Sequence, residues 1–264
     1  MTVDDGRSLR RGGRGRPGTG PTRYLPPRPT PIEVLAEVGA VIADLPRFAA
    51  APLLRSWHLR WGATAAEVAA PMSGDDLLVD AAYSCTRAIG ISAPPAAVWP
   101  WLVQVGCLRA GFYSDDLLDN LAHPSADRIV PELQDLRIGR WVPMSPTPSD
   151  TTAFRVHDFL WGRRLLWVKP DSTWSWALVP IGDGTTRLVT RLRAQYDWSR
   201  PGAALAAVAL MEFGDFAMMR RMLRGIRERA EGTAVAPARD RPRRGGAVAA
   251  PDLRPSPEFA RTES

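Results

Sequence analysis

The stretch that decides the fold covers residues 86–106 and reads TRAIGISAPPAAVWPWLVQVG. Ile89 and Ile91 alternate with small residues, which is the period of a β-strand. After Pro94 and Pro95 the apolar residues recur at helical spacing, namely Val98, Trp101, Leu102 and Val105. The two prolines suit the first turn of a helix, where a missing N–H has no intrahelical partner. The sequence therefore predicts a strand that leads directly into an amphipathic helix.

Further strands are predicted downstream, over residues 141–144, 152–159, 164–169, 173–179 and 185–194. Gly162, the pair Pro170 and Asp171, and the GDG run at 182–184 separate the later strands. Connections this short join only antiparallel neighbours. Pro201 then opens a long helix that is predicted to run to residue 229. One strand, helices, an antiparallel meander and a final helix together indicate an α+β protein.

The strand, the prolines and the helix resemble the opening of the SRPBCC (START-like) superfamily, which includes polyketide cyclases, lipid-transfer domains and pollen-allergen-like proteins. The resemblance continues through RAGFYS at residues 109–114, SADRI at 125–129 and the region from Trp174 to Arg193, so it covers residues 55–230. It implies a helix-grip fold, in which a curved antiparallel β-sheet wraps around a long C-terminal helix. An apolar cavity between the sheet and that helix is part of the expectation.

The composition is that of a globular protein with one core, since 45% of the 264 residues are hydrophobic and 23% are charged. The net charge of +6 comes from the ends of the chain, where residues 1–30 hold seven Arg against two Asp. A nucleic-acid-binding domain concentrates its basic residues on the folded part, so no nucleic acid partner is expected. Cys85 and Cys107 lack the spacing of metal ligands or of a disulfide framework, so a reducing, cytoplasmic location is expected. No cofactor is expected either.

Four parts of the chain are predicted. Residues 1–30 and 232–264 are disordered tails rich in Arg and Pro, residues 31–80 are an N-terminal helical extension, and residues 81–231 are the SRPBCC/START-like domain. The extension begins with a helix from Pro31 whose apolar stripe is Leu35, Val38, Val41, Ile42 and Leu45. We expect this helix to pack on the outside of the domain or, alternatively, to meet a membrane surface or second subunit. Charges interrupt the apolar window 32–54, so no transmembrane span is expected.

Glu212 is the candidate acid or base. It falls within an apolar stripe of the last helix formed by Leu205, Val208, Phe216, Met219, Leu223 and Ile226. A buried carboxylate needs a partner or becomes protonated. We therefore expect Glu212 either to act inside a pocket or to form an ion pair with an Arg of the sheet or of the loop at Arg128.

The candidate ligand-binding residues are mostly aromatic or lie in loops. Trp174 and Trp176 share one strand face, which lines the cavity if it is concave and is covered by the N-terminal helix if it is convex. Tyr113 belongs to the GFYS motif, and Arg128 and Glu132 lie on the irregular segment that follows this motif in the resembled branch. We expect these three residues at the pocket mouth. The remaining candidates are Trp101, Phe216 and Met219.

Two further charged patterns have ordinary structural explanations. Asp116, Asn120 and His123 lie on one side of a short helix that Ser114 is predicted to cap. Stabilisation of the helix dipole explains that pattern better than metal binding does, so no metal site is predicted. Three arginines alternate along the last strand: Arg187, Arg191 and Arg193. Most of them are predicted to reach solvent, and one could instead pair with Glu212 across the cavity.

Three functions are compatible with the sequence. The leading hypothesis is binding of a small hydrophobic or aromatic ligand in the cavity between the sheet and the last helix. The first alternative is a polyketide cyclase- or dehydratase-like enzyme in which Glu212 moves a proton. The second is an interaction module that uses the N-terminal helix to meet a protein or membrane. G-x-S-x-G, Gly-rich phosphate-loop and H-E-x-x-H motifs are absent from the sequence, which therefore gives no support to nucleophilic hydrolysis, nucleotide transfer or zinc proteolysis.

Overall fold

The computed structural model describes residues 28–50, 54–182, 184–199 and 201–235. The helices are α1 (Pro31–Ala50), α2 (Arg55–His58), α3 (Ala65–Ala69), α4 (Pro95–Val103), α5 (Asp116–Asp119), α6 (Pro201–Ala209) and α7 (Asp215–Val235). The strands are β1 (Tyr83–Ile91), β2 (Trp141–Pro143), β3 (Ala153–Leu160), β4 (Arg164–Lys169), β5 (Ser172–Ile181) and β6 (Thr185–Ala194). A 3-10 turn at Pro131–Leu133 and a π-helical turn at Leu210–Gly214 complete the regular structure of these residues.

The strands form one six-stranded antiparallel sheet with the order β1-β6-β5-β4-β3-β2. β2 to β6 make a meander, and β1 joins its far edge by pairing with β6 from Tyr83 opposite Ala194 to Ile91 opposite Thr186. The predicted strands are confirmed to within a few residues, because alternation and turn residues were present together at each hairpin. A register shift between Val156 and Asp158 interrupts the pairing of β3 with β4.

One face of the sheet carries the main core. α4 and α7 contact each other against this face, and the fully buried side chains there include Trp101, Leu102, Leu223 and Ile226. Pro94 and Pro95 begin α4 as the sequence predicts, with Pro94 as the N-cap residue. The antiparallel sheet with a long C-terminal helix on one face confirms the predicted α+β helix-grip fold.

The last helix differs from the prediction because it is not one continuous α-helix. The π-helical turn Leu210–Gly214 separates α6 from α7. A π turn holds an extra residue, which rotates the residues before it by roughly 100° relative to the residues after it. The predicted apolar stripe therefore holds for Phe216, Met219, Leu223 and Ile226, which are buried, and is wrong for Leu205, which is 61% exposed.

The opposite face of the sheet is covered by the N-terminal extension and not by solvent. Arg191 of β6 is buried and donates hydrogen bonds to the carbonyl oxygens of Glu67, Val68 and Ala70. Arg187 pairs with Glu67, and Arg193 donates to carbonyl oxygens of residues 78 and 79. The prediction that these arginines reach solvent is therefore wrong, because the extension supplies acceptors along the whole strand.

Within the extension, α3 begins at a capping box. The Thr64 side chain accepts a hydrogen bond from the backbone N–H of Glu67, and the Glu67 carboxylate accepts one from the backbone N–H of Thr64, which completes a capping box. α1 contacts α5, the π turn and α7. The described part of its predicted stripe nevertheless faces away from the domain, with Leu35 71% and Ile42 59% exposed. α1 therefore packs on the outside of the domain as expected, but Leu35 and Ile42 are not buried by that packing.

The remaining expectations concern the ends of the chain. Residues 1–27 and 236–264, which hold most of the two predicted tails, lie outside the described residues. α7 continues to Val235, past the predicted domain end at residue 231. Within the described ranges, no helix has the length and apolar character needed to cross a membrane.

Candidate functional site

A cavity of about 530 Å³ lies between the sheet and the last helical segment. The sheet contributes Phe154, Trp174, Leu192 and Ala194, and the loop before α5 contributes Phe112. The helical wall spans α6, the π turn and the first half of α7, from Ala204 to Met222. The cavity lies between the sheet and the last helical segment, where the resemblance led us to expect one.

Methionine dominates the helical wall. Five of the seven methionines in the chain line the cavity, namely Met144, Met211, Met218, Met219 and Met222. Methionine side chains are unbranched and polarisable, so they adapt their shape to an apolar partner. The helical wall can therefore adjust to ligands of different outline.

The opposite wall is aromatic and rigid. The Trp174 indole packs edge-on against Phe154, with ring centroids 5.8 Å apart, and against Trp167, at 5.3 Å. Its Nε1–H donates to the Thr190 hydroxyl oxygen at 2.9 Å, which fixes the ring orientation. Trp174 lies on the side of the sheet that faces the helices. Of the two alternatives for this tryptophan side, the one in which it lines the cavity is therefore observed.

Asp119 is the most unusual polar group of the cavity. Burial raises the pKa of its carboxyl to about 7. The hydrogen bond from the Ser114 hydroxyl lowers this pKa, and the negative charges of Asp116 and Asp115 raise it further. The Ser114 hydroxyl donates to Oδ2, while Oδ1 is buried without a hydrogen-bond partner among the described residues. Ser114 therefore holds the carboxyl of Asp119 in place and does not cap α5, whose N-cap is Asp115.

Three more polar side chains reach the cavity. Lys169 forms an ion pair with Asp171, and its ammonium lies 5.6 Å from the Phe154 ring centroid. The Tyr196 hydroxyl is buried and has no hydrogen-bond partner within the described ranges. Burial, followed by the charge of Glu212, raises the pKa of Tyr196. These groups give a mostly apolar cavity a few hydrogen-bonding positions, of which Asp119 Oδ1 and Tyr196 are unused.

Asp215 lines the cavity immediately after the π turn. Its Oδ2 accepts hydrogen bonds from the Tyr83 hydroxyl at 2.8 Å and from Arg87 Nη1 at 2.5 Å. The π turn rotates the helix so that Asp215, and not Glu212, faces the sheet. Because both donors meet one oxygen, Asp215 connects the last helix to β1.

Glu212 occupies a different position from the one expected. Its two carboxylate oxygens accept hydrogen bonds from Arg55 Nε at 3.0 and 2.8 Å, and its side chain is 20% exposed. Arg55 belongs to α2, so the ion-pair alternative is realised with a partner from the N-terminal extension and not from the sheet or the loop. Glu212 is not among the described residues that line the cavity.

Of the predicted ligand-binding residues, Trp174 and Met219 line the cavity. Trp101 and Trp176 belong to the core that surrounds it. The Tyr113 hydroxyl donates to the Trp101 carbonyl oxygen at 3.0 Å and accepts from Gln104, so it is a core group.

The remaining three predicted residues lie away from the cavity. The Phe216 ring stacks on His58 with centroids 3.8 Å apart. Arg128 and Glu132 are exposed and are not among the described lining residues. Of the nine predicted site residues, only Trp174 and Met219 therefore line the cavity. Which residues reach it depends on how the chain packs in three dimensions.

The polar residues of the cavity were missed for a simple reason. Asp119 belongs to a run of acids that is explained equally well by the helix dipole, and nothing local shows that it is buried. The methionines did carry a signal, since Met211, Met218 and Met222 recur at helical spacing. Among the described residues, no group of three or more His, Cys, Asp or Glu is placed to hold a metal ion.

No protein-family model matches the sequence, and no curated protein matches it. Solved structures match part of the chain. The Polyketide_cyc-like protein Cgl2372 from Corynebacterium glutamicum is 11% identical over 60% of this chain and 97% of its own, with a TM-score of 0.38. CalU16 from Micromonospora echinospora is 20% identical over 56% of this chain and 84% of its own, with a TM-score of 0.27. The di-domain ARO/CYC StfQ from the steffimycin biosynthetic pathway is 14% identical over 61% of this chain and 54% of its own, with a TM-score of 0.34.

These matches include polyketide cyclase-like proteins, the kind of protein that the sequence resembles. No ligand or reaction is carried over from them at these TM-scores. The functional proposals therefore depend on the residues of this chain alone.

Proposed function

We propose that the protein binds a small, flat and largely apolar molecule in the cavity between the sheet and the last helical segment. The single observation that carries the proposal is the pairing of a fixed aromatic wall, Trp174 and Phe154, with an adaptable wall of methionines. The aromatic wall offers a face for ring stacking. The methionine wall closes over the other side of such a ring.

The size and polarity of the cavity support this proposal. Ligand cavities in proteins measure roughly 300–1,000 Å³ and combine apolar walls with a few polar groups, and a volume of about 530 Å³ falls within that range. Asp119 and Tyr196 each have an unused polar atom in or beside the cavity. A ligand with one or two hydroxyl or carbonyl groups on an aromatic frame would satisfy both.

The test is to fill the cavity from the helix. Ala207 lines the cavity, whereas its neighbour Ala206 is exposed and is not a lining residue, so Ala207→Phe and Ala206→Phe add the same side chain inside and outside the cavity wall. We expect Ala207→Phe to weaken binding of 1-aminoanthracene, followed by its fluorescence, by at least roughly ten-fold, because the ring occupies the ligand volume. Ala206→Phe should bind like the parent protein. Equal affinity of all three proteins, or no binding by the parent, contradicts the proposal.

Asp119 favours a second candidate, which is proton transfer on the bound molecule in the manner of a cyclase or dehydratase. A carboxyl whose pKa is about 7 is present in both protonation states at neutral pH, as a general acid or base requires. Asp119 lines the mostly apolar cavity, and its Oδ1 has no hydrogen-bond donor among the described residues. Asp119 therefore replaces Glu212 as the proposed acid or base.

Hydrogen–deuterium exchange tests this candidate without a known substrate. A naphthyl 1,3-diketone has an acidic C–H bond, and its exchange in D₂O reports removal of that proton by the protein. We expect Asp119→Asn to slow the protein-dependent exchange by roughly 100-fold while probe affinity changes little. Exchange that is as fast in Asp119→Asn, or in the presence of a competing apolar ligand, excludes Asp119 as the base.

A further inference from the structure

Arg109 is a buried arginine without a carboxylate partner among the described residues. It follows α4 in the loop that leads to α5, and the residue is 3% exposed. Nη1 donates to the Val105 carbonyl oxygen at 3.0 Å, and Nη2 donates to those of Val103 and Leu133 at 3.2 and 3.4 Å. Nε is buried and has no hydrogen-bond partner in the described part of the chain. The carbonyl groups orient the guanidinium but leave its charge unpaired.

The Arg109 side chain lies beside β2, because a Cβ added at Gly106 would lie 3.1 Å from both Arg109 Cδ and Pro143 Cδ. Arg140 is close enough to interact with it electrostatically. It directly precedes β2 and is tied to β3 through its carbonyl oxygen, which accepts from the Val156 N–H at 2.9 Å. Both Nη1 and Nη2 of Arg140 are buried, and neither has a hydrogen-bond partner within the described ranges. Along this edge of the sheet Arg140, Val142 and Met144 alternate, which places Arg140 on the face that also carries the cavity.

Two positive charges therefore share one interior region. Burial and the charge of Arg140 lower the pKa of Arg109 to about 9, so Arg109 is still charged at neutral pH. Asp135 acts on Arg140 through space, but its exposed carboxylate is already paired with Arg137. A buried charge without a counter-ion is strongly unfavourable, and two like charges together are more so. The arrangement is explained if an anion completes it.

We propose that Arg109 and Arg140 together bind a small oxyanion, a phosphate or carboxylate group, between β2 and the loop after α4. A guanidinium presents parallel N–H groups that match the oxygen spacing of such anions. The free donors are Nε of Arg109 and both terminal nitrogens of Arg140, which is enough for one multiply bonded oxyanion. Residues 134–139 form no helix or strand, so a local displacement of this segment gives a small anion access.

The oxyanion has two possible sources. It is either free in solution, as inorganic phosphate is, or the acidic end of an apolar molecule held in the cavity that Met144 lines. The site itself does not depend on the proposed ligand-binding function. Inorganic phosphate, decanoate and decanol distinguish the sources, because only the first two carry an oxyanion and only the last two carry an apolar chain.

The experiment measures the melting temperature of the full-length protein with each probe at constant ionic strength. Arg140→Met removes the charge and keeps the apolar stem, and Arg137→Met is the matched control, since Arg137 is an exposed residue of the segment that leads into β2. We expect saturating phosphate or decanoate to raise the melting temperature of the parent and of Arg137→Met by roughly 5 °C. Arg140→Met should lose that rise.

Each outcome decides the proposal. A rise with phosphate supports a free anion, and a rise with decanoate but not with phosphate or decanol supports an acidic cavity ligand; both require loss in Arg140→Met. The proposal is overturned if neither anion raises the melting temperature of the parent, or if Arg140→Met responds as the parent does. Should Arg140→Met fail to fold, calorimetric titration of the parent protein with phosphate and with decanoate decides in its place, and the absence of binding of both anions overturns the proposal.

Discussion

Arg87 of β1 and Asp215 of α7 form an ion pair in the interior, with Nη1 and Oδ2 2.5 Å apart and side chains only 1% and 7% exposed. The Tyr83 hydroxyl donates to the same carboxylate oxygen, and Arg87 Nε donates to the His58 carbonyl oxygen at 2.8 Å. One guanidinium thereby joins the edge strand, the last helix and α2. The pair fixes the start of α7 directly after the π turn that lines the cavity.

Removing this guanidinium should be costly. We expect Arg87→Met to lower the free energy of unfolding by about 3–5 kcal/mol, because Asp215 is left buried without its counter-ion. Arg55→Met is the matched control, since Arg55 is 46% exposed in its pair with Glu212 and the loss should stay below about 1 kcal/mol. Urea denaturation measures both variants. Similar losses would mean that the buried pair has no special role.

Gly225 allows α7 to approach the loop that carries Tyr113. A Cβ at Gly225 would lie 2.4 Å from the Tyr113 carbonyl oxygen and 2.7 Å from its Cβ, whereas a Cβ at Gly232 of the same helix meets nothing within 4 Å. We expect Gly225→Ala to destabilise the protein by about 1–3 kcal/mol through overpacking. Gly232→Ala should instead stabilise it by up to about 1 kcal/mol, as alanine does in an exposed helix. Thermal unfolding of the two variants provides the comparison, and shifts of the same sign would contradict it.

Arg191 attaches the N-terminal extension to the back of the sheet. Its guanidinium donates to the carbonyl oxygens of residues 67, 68 and 70, to the Thr86 hydroxyl and to Asp75. We expect Arg191→Met to release the extension, so that trypsin cleaves at Arg60 at least roughly ten-fold faster, as local opening becomes easier. Arg164→Met, which removes an exposed partner of Asp158, should leave that rate unchanged. An unaltered cleavage rate in Arg191→Met would show that other contacts are enough to hold the extension on the sheet.

Asp119 should make stability depend on pH. Burial raises its pKa in the folded protein from 3.8 to about 7, so the folded state holds this proton more tightly than the unfolded state. The resulting stabilisation is fully present below pH 3.8 and is lost as the pH rises through 7. Asp119→Asn cannot ionise, so between about pH 4 and about pH 7.5 the parent should lose on the order of 2 kcal/mol relative to this variant.

Urea denaturation at several pH values checks this expectation. Asp127→Asn is the control, because Asp127 is exposed and its replacement should leave the pH dependence of the parent intact. Parallel curves for the parent and Asp119→Asn would mean that Asp119 ionises in the folded protein much as it does in the unfolded chain.

The elements of the fold could be predicted because their signals are local. The alternation of Ile89 and Ile91, the prolines before α4 and the short hairpin connections each act over a few residues. The capping box of Thr64 and Glu67 is a local signal of the same kind, since the two residues are three positions apart. The prediction was wrong at Leu205 and for the arginines of β6, where the outcome depends on a π turn and on a distant segment of chain.

The amino-acid sequence was enough to locate most strands and helices, since hydrophobic period and turn chemistry are properties of neighbouring residues. The packing of the final helix against the sheet followed from the family resemblance. Only the tertiary structure decided which polar groups reach the cavity. The π turn rotates Asp215 inward and leaves Glu212 to Arg55, while folding of the loop buries Asp119. The environment of a carboxylate depends on residues far away in the chain, so the same side chain becomes an ion pair, a structural anchor or a cavity acid according to what surrounds it.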